Sequence, residues 1–254
     1  MSADFRIDRR DAVLTVTITR EARRNAITAD VLAGIASGFE QAERDRGIRA
    51  IVLTGEGDKA FCAGADLQGN AFKIDTSEPY GRLADLMRAA RRVTVPVIAR
   101  VNGACMAGGM GLLAIADMAV AHDKAIFGLP EVKIGVFPAQ VLALLKTVVP
   151  QRALNELVIT GEPIDATEAR AIGLVNHVSS DLDGKVDWLI SRIVDKSPTA
   201  IRRALYTMKR IEAMPFEEAA SFTESQIALT AQTEDAKDGQ AAFREKRKPQ
   251  WSGR

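Results

Sequence analysis

With 254 residues, 47% of them hydrophobic and 26% charged, and with a net charge of +1, the chain is long enough to bury a substantial core as one large domain or one domain with an appendage. The balanced charge argues against a nucleic-acid partner, and no uninterrupted apolar run reaches the roughly 18 to 20 residues of a membrane span. Met1-Ser2-Ala3-Asp4-Phe5-Arg6 lacks the basic-then-apolar order of a signal peptide, and two cysteines, Cys62 and Cys105, are too few for a disulfide framework or a closed zinc site, so a reducing, cytoplasmic setting is expected.

Leu14, Val16 and Ile18 alternate with Thr15, Thr17 and Thr19, which predicts a half-buried strand over 12–19 with Phe5 to Asp8 as its hairpin partner. Thr28 is placed to cap a helix from Ala29, where Val31, Leu32, Ile35 and Phe39 recur at helical spacing. A second apolar strand over 50–54 ends in Gly55-Glu56-Gly57-Asp58, a turn by composition. The compact small-residue stretch Lys59 to Leu67 follows, then a loop over 69–78. Residues 79–92 read as an amphipathic helix with Leu83, Leu86, Met87 and Ala90 on one face.

A short apolar strand over 97–101 breaks at Asn102-Gly103, and Ala107-Gly108-Gly109 then opens an apolar run over 112–116. Another strand is expected over 118–122 and an extended piece over 125–129, closed by Pro130-Glu131. Beyond Gly135 the pattern turns helical: one helix opened by Pro138 and running to Val149, a second over 151–160, and a third over 166–171 that stops at Gly173. From Trp188 three more helical segments follow, broken at Ser197-Pro198 and Met214-Pro215. The first two-thirds therefore read as alternating strand and helix and the last third as helix, which places a boundary near residue 195 between a core of 1–195 and a helical region of 196–254. Phe222, Ile227, Leu229, Phe243 and Trp251 of that region suit either packing on its own domain or cementing an oligomer. The basic cluster Arg244 to Lys248 suits either a solvated helix end or a docking point for phosphates at a subunit edge.

The familiar signatures G-x-S-x-G, H-E-x-x-H, C-x-x-C and Walker A are missing, and His122 and His177 sit in apolar, strand-like surroundings that favour structural roles. Around Ala107-Gly108-Gly109 small residues let a ligand approach the main chain closely. A helix that starts there leaves its first N–H groups unpaired and aimed outward, suited to an oxygen that becomes anionic during a reaction: half of an oxyanion-binding site. Two glycine patterns imitate a dinucleotide fingerprint. Gly55-x-Gly57-x-x-Ala60 is not followed by a helix, and in Gly109-x-Gly111-x-x-Ala114 the residues Asn102 to Ala107 separate strand from glycines, so a nicotinamide-dependent oxidoreductase is disfavoured. Glu131, after Pro130 and between Leu129 and Val132, is a carboxylate that desolvation would turn into an acid/base near neutral pH. On spacing alone a capping or salt-bridging glutamate is the favoured reading.

Six stretches, R-N-A-I-T at 24–28, K-A-F-C-A-G-A-D-L at 59–67, N-G-A-C-M-A-G-G at 102–109, F-G-L-P-E-V-K-I-G at 127–135, G-E-P-I-D-A-T-E-A-R-A-I-G-L-V-N at 161–176 and A-A-F-R-E-K-R-K-P at 241–249, resemble the crotonase (enoyl-CoA hydratase/isomerase) superfamily in order and spacing over nearly the whole chain. The resemblance implies an α/β fold, a spiral of strand–strand–helix turns with a helical C-terminal trimerisation region, assembled as a homotrimer or a dimer of trimers. It implies an acyl-CoA thioester substrate and no separate cofactor or metal. It puts the thioester carbonyl between the backbone N–H groups of Ala65 and Gly108, with Glu131 as catalytic acid/base. It lines the CoA path with Arg24, Ala26, Ala63, Asp66, Leu67 and Gln68, and lets Phe243 and Lys246 reach the CoA of a neighbouring subunit.

One departure from the family pattern matters. Hydratases of the family usually carry two glutamates twenty positions apart; Glu131 fits the second place, and the first is Gly111. A lone carboxylate suits removal of a proton at one carbon of an enolate system and its return at another, the Δ3–Δ2 enoyl-CoA isomerase pattern, so that chemistry is favoured over enoyl-CoA hydratase activity. Gln140 or an ordered water is a candidate substitute for the missing acid. A non-catalytic acyl-CoA-binding or RNA-binding member of the family is the alternative of a different class; near-neutral charge argues against RNA and the intact Glu131 against loss of chemistry.

Overall fold

The structure, a computed structural model, describes residues 4–66 and 81–254. The predicted hairpin forms from β1 (Phe5–Arg10) and β2 (Val13–Ile18), antiparallel with Phe5 opposite Ile18. Thr28 caps α1 (Ala29–Arg44) by accepting from the Val31 N–H. Three repeats follow in which two strands precede each return of the chain. They are β3 (Ala50–Gly55) with β4 (Ala60–Cys62) before α2 (Arg82–Ala90); β5 (Val97–Val101) with β6 (Ala104–Met106) before α3 (Gly108–Ala114); and β7 (Met118–His122) with β8 (Ile126–Gly128) before a 3-10 turn over Pro130–Ile134. The first strand of each repeat joins a six-stranded sheet, β1-β2-β3-β5-β7-β10, and the second joins a four-stranded sheet, β4-β6-β8-β9. In β3, β5 and β7 the alternation of side chains sends Ile51, Leu53, Val97 and Ala99 into the main core, while Val52, Ile98 and Val120 meet Leu182, Val186 and Leu189 of α7 (Leu182–Val194). The remaining elements are α4 (Leu142–Val148), α5 (Gln151–Thr160), β9 (Ile164–Asp165), α6 (Ala166–Ala171), β10 (His177–Ser179), α8 (Pro198–Ile211), α9 (Phe216–Ala231) and α10 (Glu234–Glu245).

Several expectations are corrected. Pro138 opens no helix: the Ala139 N–H closes onto the Phe137 carbonyl at 2.8 Å, and regular helix begins only at Leu142. Residues 104–106, read as a spacer, are strand β6, whose Cys105 is buried beside Cys62 of β4 and Phe127 of β8. The last helical stretch is two helices, since Thr233 accepts from the Ala236 N–H and starts α10 afresh. The helix placed from Trp188 begins at Leu182, because Asp181 caps the Gly184 N–H.

After β10 the described chain is helical. α8 is anchored to the core by two cations. Arg202 bridges Glu43 and the Ala42 carbonyl, and Lys209 donates to Asp117 at 2.9 Å and to the carbonyls of Ala90 and Val93. Trp251 reaches back to the Asp195 carbonyl and Phe222 packs near Tyr206, whereas Ile227, Leu229 and Phe243 are exposed. Arg247, in the basic cluster, is committed to Asp238 and Glu245.

The chain end is held by Asp235, only 1% exposed. Its carboxylate accepts from Ser197 Oγ, the Thr199 N–H, the Ser252 N–H and hydroxyl, and the Gly253 N–H. Burial pushes its pKa up, but the hydrogen bonds outweigh burial and hold it below the usual carboxylate value. We expect Asp235→Ala to lower the unfolding free energy by about 2–4 kcal/mol in urea denaturation, since several donors lose a charged acceptor at once. Because the folded pKa is depressed, that contribution is present above the unfolded-state pKa and fades as pH falls through the folded one. The gap between wild type and variant should therefore close in acid.

Candidate active site

β4, β6 and β8 run parallel, so the chain leaves all three at one edge of the small sheet. The segments that emerge there are Ala63 to Asp66, Ala107-Gly108 and Leu129 to Glu131. The C-terminal edge of parallel strands is where an open sheet usually presents its ligand site. The Ile27 N–H donates to the Gly64 carbonyl at 2.8 Å, and the Asp66 N–H to the Ile27 carbonyl at 3.1 Å. The intervening peptide is trans, so the Ala65 N–H points the opposite way from the Gly64 carbonyl. Likewise the Ala107 carbonyl accepts from the Met110 N–H at 2.9 Å, which turns the Gly108 N–H back out of the start of α3. Among the described residues neither N–H has an acceptor. The two segments are in contact: a methyl added to Gly108 would stand 3.6 Å from the Ala65 nitrogen, and one added to Gly64 would stand 3.2 Å from the Gly108 nitrogen.

Two asparagines fix the opposite end of β4, where the chain enters it. Asn25 is fully buried with φ 55°, a left-handed conformation that asparagine tolerates. It donates to the carbonyls of Glu56 and Ala60 and accepts from the Arg20 N–H. Asn102 donates to the carbonyls of Gly57 and Ala60 and accepts from the Gly55 N–H. Together they set the turn that feeds β4. Gly109 lets α3 lie against β4, since a methyl there would be 2.3 Å from the Cys62 carbonyl oxygen. The glycine pattern that imitates a dinucleotide fingerprint is thus a packing device, and it follows β6 rather than β5.

Glu131 lies in the 3-10 turn after β8. The turn is tied to the Ala107-Gly108 segment, because the Ala107 N–H donates to the Gly128 carbonyl at 2.9 Å. The Glu131 Oε2 atom is occluded from solvent and has no hydrogen-bond partner. Burial pushes its carboxyl above the ordinary value, against a smaller lowering by the backbone N–H of Glu131 itself.

The other predicted residues fall as follows. Arg24 is exposed, with φ 50°, and its carbonyl accepts from the Ala63 N–H at 3.0 Å. Ala26 is buried and its carbonyl is taken by Arg20. Asp66 is paired with Arg20 at 2.8 Å, so its carboxylate shapes the rim through Arg20, a residue the sequence reading passed over. Leu67 and Gln68, with the loop expected over 69–78, lie outside the described residues. Phe243, 86% exposed, and Lys246, which ends α10 with φ 54°, stand on the helical region. α10 itself packs on α8 and α9.

Gly111, the place of the absent second acid, is enclosed by hydrocarbon: a methyl there would be 2.6 Å from Val141 Cγ1 and 3.4 Å from Met87 Cε. Gln140 does not take over that place. It is exposed, with its amide nitrogen 3.2 Å from where a methyl on Gly81 would stand. Phe137 is exposed and is not core. His122 accepts from the Lys124 N–H and His177 packs edge-on to Trp188, structural roles as expected. A cavity of about 570 Å³ lies at the other end of α3 between α2, α4, α7 and α8, and shares with the Gly111 surroundings only Met87. No helix among the described residues is long and apolar enough to cross a membrane, and none of their acidic, histidine or cysteine side chains group to hold a metal ion.

Known proteins place this arrangement. A family model described as enoyl-CoA hydratase/isomerase matches residues 8–254. The chain is 35% identical to the enoyl-CoA hydratase EchA19 of Mycobacterium tuberculosis over 99% of this chain and 97% of that one. It is also 35% identical to the carnitinyl-CoA dehydratase of Escherichia coli over the full length of both. Among solved structures, an enoyl-CoA hydratase of Mycobacterium smegmatis superposes with a TM-score of 0.93 at 32% identity, covering 98% of this chain and 99% of that one.

Proposed function

Because the chain belongs to the enoyl-CoA hydratase/isomerase family, whose members are enzymes of acyl-CoA thioesters, we propose that it moves a double bond through a thioester enolate, with Glu131 as the single acid/base. The ionised Glu131 takes a proton from the carbon next to the thioester carbonyl of a 3-enoyl-CoA. The electron pair spreads through the dienolate onto the carbonyl oxygen, and the same carboxyl returns the proton two carbons further on. Carboxylate, atom count and charge are all restored at the end. The N–H groups of Ala65 and Gly108 hold the oxygen while it carries charge, so they stabilise the transition state more than the bound substrate. Losing one such donor typically costs about 3–4 kcal/mol.

The observation that carries the choice of isomerisation is at Gly111. Hydration needs one group for the water and one for the proton at the α-carbon, and the place of the second group is occupied by Val141 and Met87. The relatives' names favour a second chemistry, hydration of a 2-enoyl-CoA. Offering crotonyl-CoA and 3-hexenoyl-CoA to one preparation separates the two. We expect double-bond migration with slow hydration; hydration at a rate usual for the family, with no migration, would overturn the choice. The non-catalytic alternative is disfavoured by the buried, unpartnered oxygen of Glu131. In this proposal CoA lies along Arg24 to Ala26 and Ala63 to Gln68. Residues 196–254 mediate assembly into trimers, which brings Phe243 and Lys246 to a neighbour's CoA.

A further inference from the structure

Both donor amides follow a residue with positive φ. Gly64, at φ 96°, precedes Ala65, and Ala107, at φ 52° and ψ −124°, precedes Gly108. Glycine adopts such a conformation freely, but an alanine there is strained. The two positions also face one another: a methyl on Gly64 would be 2.7 Å from the Ala107 Cβ. Only one of the pair can carry a side chain, and the chain places it at 107. The strained residue is pinned on both sides, by its N–H to the Gly128 carbonyl and by its carbonyl to the Met110 N–H, each at 2.9 Å.

We infer that Ala107 is a positioning residue whose methyl, lodged against Gly64, fixes the angle between the two oxyanion donors. This rests on the enolate chemistry proposed above. The torsion that swings the peptide between residues 107 and 108, and hence the Gly108 N–H, is the ψ of residue 107. With glycine at both 64 and 107 no side chain would separate the segments, and only the two hydrogen bonds would hold the peptide, over a wider arc. With the methyl in place it is confined, and Gly128 of β8 carries the same constraint towards Glu131, three residues on. Local strain is thus retained where it aims a reacting group, and relieving it should separate stability from activity.

Ala107→Gly tests this. The variant should melt higher than wild type, by about 2–4 °C for a relief of the usual size in a chain of this length, while kcat for 3-hexenoyl-CoA falls about tenfold or more and KM changes little. A readout that a merely structural residue would not move is the near-ultraviolet enolate band of bound acetoacetyl-CoA, which grows only where aligned donors stabilise the enolate. It should weaken in Ala107→Gly. A variant that keeps both the kcat and the band of an active wild type overturns the role of Ala107 and leaves the proposed chemistry standing. A wild type with neither turnover nor band overturns both.

Discussion

Glu131→Gln is expected to abolish turnover while leaving CoA-ester binding close to wild type. General acid–base catalysis by one group is commonly worth about 10²–10⁴-fold, and in the proposed reaction a single carboxyl both removes and returns the proton, so the loss should lie at or beyond the upper end. The amide keeps the shape of the side chain, and the donors at Ala65 and Gly108 are untouched, so calorimetric titration with a non-reacting CoA ester should give a Kd within a few-fold of wild type. A variant that still turns over within tenfold of wild type would remove Glu131 from the chemistry. The acid limb of the wild-type kcat/KM profile should fall as Glu131 protonates, with its midpoint above the ordinary glutamate value because burial raises it. Stability carries the opposite sign. A carboxyl whose folded pKa is raised contributes stability below its unfolded pKa, and loses it as pH rises through the folded one. Above its folded pKa the wild type therefore holds an ionised, unpartnered oxygen at a cost, and there Glu131→Gln should melt above wild type while being inactive.

Legibility of the molecule from its sequence followed the range of the interactions. Strands with five or six residues and helices with a clear cap, such as β2 with Leu14, Val16 and Ile18 or α1 behind Thr28, announce themselves because alternation and capping are local. β6 does not, since three residues hold no period and its place is set by β4 and β8 on either side. The segments proposed to hold the oxyanion show in the sequence only as small residues, because the groups proposed to act are main-chain N–H. Their direction depends on torsions that residue type misreports: nothing in an alanine at 107 signals φ 52°. Asn25 and Asn102 were legible as residues of matching motifs but not as the clamp on the turn before β4, as each bonds carbonyls far along the chain. Gly111 was legible as a departure from the family pattern. What fills its place was not, because Val141 lies thirty positions away, in a stretch where Pro138 suggested the opening of a helix but which folds as a turn.

That filling makes Gly111→Glu the sharpest test of why one acid remains. A glutamate there would push its Cβ to 2.6 Å from Val141 Cγ1, in a pocket where Val141 is 3% exposed and Met87 is also buried. Overpacking of this kind costs about 1–3 kcal/mol, and a carboxyl driven among apolar side chains without a partner adds a further penalty of similar size. Replacing glycine within a helix returns at most about 1 kcal/mol. We expect a net loss of about 2–5 kcal/mol in urea denaturation, and no gain in crotonyl-CoA hydration, because the carboxyl is displaced from the face it would need. Trimming the obstruction in Gly111→Glu/Val141→Ala should recover much of the stability and bring measurable hydration, with Glu131 and the new acid dividing the tasks that isomerisation leaves to one. The two substitutions would then couple strongly, as contacting residues do. If Gly111→Glu alone folds as stably as wild type and hydrates crotonyl-CoA, Val141 is no obstruction, and the absent acid is a matter of one residue rather than of a pocket rebuilt around its loss.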